Sequence, residues 1–151
     1  MSAAVDPTAF RPAAIIAARD IEVGAELEPI VKTLTLDKSR IYQGWPAVRN
    51  RHTDYAAAQA SKLAVPNANG GQTAEYLGEL FIKFFGEGFI GGSLSVNFLG
   101  FVAIDDVVTT RGVVTGRTET ADGRVLLELS LWVENQDGRK VLAGTATGYA
   151  P

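Results

Sequence analysis

A chain of 151 residues, 46% apolar and 21% charged, is long enough to bury a core and too apolar to stay disordered. Its formal net charge of −3, with 14 Lys and Arg scattered among 17 Asp and Glu, excludes the basic footprint of a nucleic-acid binder. No cysteine and a single histidine exclude disulfides, thiolate chemistry and an ordinary Cys/His metal site.

No apolar run reaches the roughly 18–20 residues that span a bilayer, so no membrane association is expected. The N-terminus lacks the basic and apolar segments of a leader, and a cytoplasmic home is expected. Residues 1–19, broken by Pro7 and Pro12, read as an arm ahead of one domain over 20–151. Ile30 to Leu36 alternates as a half-buried strand. Asp37 reads as the N-cap of a short helix through Tyr42, stopped by Gly44 and Pro46, and Asp54 as the cap of an Ala-rich stretch from Tyr55 to Leu63. Asn67 to Gly71 is turn chemistry. From Gln72 to Phe85, apolar residues recur at three- and four-residue steps almost all round. Such a helix belongs inside a protein, with Phe81, Phe84 and Phe85 in its core and only Glu75, Glu79 and Lys83 marking a polar edge.

Beyond Gly92 the chain is strand-like. Leu94, Val96 and Phe98 alternate with polar residues, Val107 to Arg117 is β-branched, and Ala121-Asp122-Gly123 and Gln136-Asp137-Gly138 are hairpin turns. Between those turns Leu127, Leu129, Leu131 and Val133 share one face, and a last strand runs from Lys140 to about Tyr149. One strand, short helices, a long apolar helix and four antiparallel strands predict an α+β domain whose sheet curls round a single helix.

The chemistry-bearing residues cluster in the middle of the chain. Histidine is the side-chain type whose unperturbed pKa lies close to neutrality, which singles out His52, and Gly70-Gly71 opens the long helix, whose first N–H groups suit a developing negative charge. Together they can activate an acyl group, although a lone histidine can also be structural. Tyr42 and Trp45 can line an acyl pocket or pack the overhanging segment. Arg49 and Arg51 can meet phosphates or form surface ion pairs.

The order Asn50-Arg51-His52-Thr53-Asp54, Pro66-Asn67-Ala68-Asn69-Gly70-Gly71, the long helix, Gly91 to Phe98 and Val107 to Val114 resembles the MaoC-like, or (R)-specific enoyl-CoA hydratase, branch of the hot-dog fold. The resemblance implies a hot-dog domain, usually dimeric, that hydrates an enoyl thioester or dehydrates a 3-hydroxyacyl thioester. It implies no metal or redox cofactor, with CoA or pantetheine arriving as part of the substrate. By motif His52 matches the family histidine and Gly70 the glycine that binds the thioester oxygen. Asn69 and Gly71 stand beside it, and Asn50 and Arg51 flank the histidine, all as substrate-binding candidates. The family pairs its histidine with an aspartate five residues earlier; here that position is Ala47.

Three outcomes follow from the missing carboxylate. Glu75, five residues after Gly70, can form a substitute dyad with His52, as the spacing of related hydroxyacyl-carrier dehydratases suggests. Gly70-Gly71 with Glu75 and Glu79 also resembles hot-dog thioesterases, which hydrolyse the same bond. Or the chain is a non-catalytic acyl-thioester-binding subunit, or half of a hydratase whose homologous partner supplies the dyad.

Overall fold

The period-two strands and the long helix meet face to face in a computed structural model that describes residues 20–150; the arm expected over 1–19 lies outside those residues. The elements in chain order are β1 (Ile30–Thr33), α1 (Leu36–Gln43), α2 (Tyr55–Ala60), α3 (Gly70–Phe85), a 3-10 turn (Gly86–Phe89), β2 (Ser93–Phe98), β3 (Val107–Glu119), β4 (Val125–Glu134) and β5 (Lys140–Tyr149). The strands form one antiparallel sheet in the order β1-β3-β4-β5-β2. The predicted hairpins β3–β4 and β4–β5 lie at its centre, and β2 crosses to pair with β5.

Alternation decides which face of the sheet is buried. Val108, Thr110 and Val114 of β3, Leu127, Leu129, Leu131 and Val133 of β4, and Leu142 and Ala146 of β5 all point at α3. The helix answers with Tyr76, Leu77, Leu80, Phe81 and Phe85. Glycines on the sheet let it come close: a Cβ at Gly148 would stand 2.9 Å from the Phe85 ring, and one at Gly144 would stand 3.4 Å from a Leu77 methyl. Phe81 and Phe85 pack edge to face at 5.1 Å between centroids, so the expected aromatic core is present.

Several boundaries differ from the expected ones. β1 ends at Thr33 because Leu34 leaves the ladder for a loop, where its N–H donates to Asp106 O (3.0 Å) and its carbonyl accepts from Asp105 N–H (2.7 Å). Thr35, not Asp37, caps α1, its hydroxyl accepting from Lys38 N–H at 3.2 Å. Asp37 instead occupies the first turn, where its charge complements the helix dipole. α2 ends at Ala60, and Lys62 follows with φ 61°. α3 begins at Gly70, before the expected Gln72, because the Asn69 side chain caps its first turn.

Nor is α3 covered all round. Ile82 is 53% exposed, and the strip carrying Glu75, Gly78, Glu79, Ile82 and Lys83 lines a groove on the side away from the sheet. Among the described residues no helix is long and apolar enough to cross a membrane.

Candidate active site

His52 lies in the loop between α1 and α2, and local hydrogen bonds hold that loop. The Asn50 side-chain oxygen accepts from His52 N–H at 2.8 Å, while its amide group donates to Gln43 Oε1 at 3.2 Å. Both ends of the Asn50 side chain, expected as a substrate contact, hold the loop. The Ser39 hydroxyl donates to His52 O at 2.7 Å, and Arg40 Nε to Thr53 O at 3.1 Å, tying the loop to α1.

The ring is 8% exposed, and its Nδ1 stands 2.8 Å from Asn67 O. A carbonyl only accepts, so in the neutral ring this contact assigns the proton to Nδ1 and leaves Nε2 with a lone pair. Arg51 Nε donates to that lone pair at the long limit of 3.5 Å. Asn67 is held in turn by a bridge to Ala103, with Ala68 N–H donating to Val102 O at 2.8 Å. Its role as the ring's anchor is one that sequence reading missed, because the residue looked like ordinary turn chemistry. Its own Oδ1 is buried without a partner among the described residues.

The N-terminus of α3 supplies the second part. Asn69 Oδ1 accepts from Gly71 N–H at 2.8 Å, so the residue expected to bind substrate is a helix cap. Gly71 N–H, expected as a carbonyl donor, is engaged by this cap. Gly70 N–H meets no acceptor among the described residues, and a Cβ at Gly70 would lie 3.4 Å from the Phe98 ring on β2.

Gly71 does something else. A Cβ there would stand 2.7 Å from the Tyr42 hydroxyl and displace that phenol, which donates to Glu75 Oε1 at 3.3 Å. Desolvation, followed by the neighbouring Glu75 charge and hydrogen bond, raises the Tyr42 pKa above its ordinary value. Tyr42 and Glu75 thus form a pair at the head of the outer groove, which encloses about 980 Å³. Neither His52 nor Gly70 is among the residues lining that groove, and no hydrogen bond joins His52 to Glu75 among the described residues.

Trp45 is engaged elsewhere. Its ring meets the guanidinium groups of Arg40 and Arg49 at 4.3 and 4.7 Å from the centroid, so it braces the overhanging segment and does not line the groove. Asp54 caps α2 as expected, accepting from Ala57 N–H at 3.0 Å. Ala47, at the position of the family aspartate, follows the Gly44 turn and is exposed. Among the described residues no three His, Cys, Asp or Glu side chains gather to ligate a metal.

No family model matches the sequence, and no curated protein does. Solved structures do. The (R)-hydratase PhaJ1 from Pseudomonas aeruginosa, unliganded, superposes with a TM-score of 0.75 at 19% identity, covering 89% of this chain and 84% of its own. A MaoC-like dehydratase from Rhodospirillum rubrum gives 0.74 at 20% identity over 87% and 94%. A chain of the ChsH1-ChsH2 complex from Mycobacterium tuberculosis gives 0.70 at 17% identity over 86% and 98%. The agreement over nearly the whole described length settles the architecture: this chain has the hot-dog fold, as found in MaoC-like dehydratases and (R)-hydratases.

Proposed function

We propose that the chain binds an acyl thioester where the His52 loop meets the start of α3, and adds water to, or removes it from, the acyl group. The observation that carries this reading is the His52–Asn67 contact of 2.8 Å, which places the neutral ring's proton on Nδ1 and leaves the Nε2 lone pair with only the long Arg51 contact of 3.5 Å. During hydration Nε2 takes a proton from water as the hydroxyl bonds to the β-carbon, each well-placed proton transfer contributing roughly 10²–10⁴-fold. Negative charge then gathers on the thioester oxygen, where the unpartnered Gly70 N–H and the positive end of α3 stabilise it. The α-carbon still needs a proton. We assign that proton to the Tyr42–Glu75 pair, whose phenol reaches Gly71 at the start of α3, in place of the expected direct dyad of His52 with Glu75.

The test measures turnover of a panel of enoyl-CoA and 3-hydroxyacyl-CoA esters, following enoyl absorbance and free thiol together. Loss of absorbance without thiol supports hydration; thiol release assigns hydrolysis instead. If Glu75→Gln leaves hydration unchanged, Glu75 is not the second proton carrier.

A second reading has its own support: exposed Ala47 stands where the family carboxylate is expected, and one structural neighbour is the ChsH1-ChsH2 complex. On this reading the chain binds the thioester while a homologous partner supplies the dyad. It predicts an inactive isolated chain whose activity appears on mixing with that partner.

A further inference from the structure

α1 is a short helix with one buried residue, Ser39, at 0% exposure. A serine inside a helix commonly turns its hydroxyl back to the carbonyl four residues earlier or out to water. Ser39 does neither. Its hydroxyl donates to His52 O at 2.7 Å, 13 residues away, while the carbonyl of Thr35 accepts the Ser39 N–H at 3.1 Å. No other donor reaches His52 O among the described residues, so this hydroxyl alone satisfies the main-chain oxygen of the residue that carries the imidazole. Alanine would fit the same space and favour the helix more, so helix formation does not account for a serine here.

The place of Ser39 on α1 joins two parts of the candidate site. Arg40 Nε donates to Thr53 O at 3.1 Å, so adjacent residues of α1 hold adjacent carbonyls of the His52 loop. About one helical turn beyond Ser39, Tyr42 reaches Glu75 Oε1 at 3.3 Å. A single turn of α1 therefore carries both the anchor of the imidazole and the phenol. We infer that Ser39 is a positioning residue for the reaction: through His52 O it holds the ring where Nδ1 meets Asn67 O, and through α1 it sets the ring's place relative to Tyr42. This rests on the reading of His52 as the base and adds the group that places it. The hydroxyl touches no reacting atom, so its loss misplaces the base and leaves substrate binding intact.

The imidazole itself reads the role without requiring turnover. In Ser39→Ala, nitrogen NMR of the neutral ring is expected to show a mixture of Nδ1-protonated and Nε2-protonated forms in place of the wild type's Nδ1-protonated form. In the same variant kcat for enoyl-CoA hydration falls by about tenfold or more at unchanged KM. Ser39→Cys keeps a side chain of similar shape with a weaker donor, and it moves both readings the same way if the alanine variant fails to fold. Asn135→Ala supplies the comparison. It loosens the distant β4–β5 hairpin, where Asn135 Oδ1 accepts from Asp137 N–H at 3.1 Å and Arg139 N–H at 3.0 Å, and it lowers the melting temperature without changing the ring. A wild-type tautomer retained in the Ser39 variants, a loss confined to KM, or the same ring change in Asn135→Ala overturns the assignment. If the wild type turns over no CoA ester, yet removing the hydroxyl releases the tautomer, the reaction reading fails and the placement of the ring by Ser39 stands.

Discussion

At the scale of single residues, a main-chain carbonyl orients the candidate base. Asn67 O fixes the tautomer of His52 through a 2.8 Å hydrogen bond, and a main-chain acceptor survives substitution of the Asn67 side chain. Nitrogen NMR of the imidazole at neutral pH is expected to show the neutral ring protonated at Nδ1; protonation at Nε2 would remove the proposed base. Tyr76 makes a separate, pH-dependent prediction. Burial, and then the nearby Glu79 charge, raise its pKa above 10.0. A group whose folded pKa lies above its unfolded value binds more protons when folded once pH exceeds the unfolded value. Its contribution is therefore fully present below about pH 10 and is lost as pH rises through the folded pKa. Melting temperatures measured from neutral to strongly alkaline pH should fall above that point, and Tyr76→Phe should flatten the fall.

At the scale of elements, α3 combines a strong start with a weak middle. The Asn69 cap on Gly71 N–H is expected to contribute roughly 0.5–2 kcal/mol, so Asn69→Ala should lower unfolding free energy by that amount while Asn69→Asp largely preserves it. Gly78→Ala should act oppositely, adding about 0.5–1 kcal/mol because the methyl meets open space; denaturant midpoints compare the two. These differences show why some of the chain was readable and some was not. The strands from β2 to β5 were legible because burial on one face imposes a period of two on consecutive residues. Gly70 and His52 stood out because the motif is local and ordered. The Tyr42–Glu75 hydrogen bond spans 33 residues, and only the packing of α1 against α3 brings those side chains together. Caps were misplaced for a smaller reason: Thr35 and Asp37 are both good cap residues, and the exit of Leu34 from the sheet decides between them.

At the scale of the whole molecule, the sheet has two open edges among the described residues, because β1 and β2 each pair there on one side only. Beside and beyond β2 stand Phe98, Leu99 and Phe101 at 57%, 52% and 69% exposure, three large apolar side chains within four residues. An unpaired edge flanked by such a patch is a template for another strand, and antiparallel pairing of like edges about a two-fold axis closes both at once. The Phe98 ring also lies against Gly70, so whatever covers the end of β2 adjoins the proposed thioester oxygen site. Assembly and turnover should therefore change together. Phe101→Glu places a charge in the patch without altering Phe98; where the chain pairs through this edge, sedimentation gives a lower mass for the variant than for the wild type, and on the proposed function enoyl-CoA turnover falls with it. A homologous partner using the same edge should suffer the same loss, visible as reduced heteromer in native mass spectrometry. A wild-type chain that sediments as a monomer both alone and with its homologue would remove the edge from the argument and leave the site to one protomer.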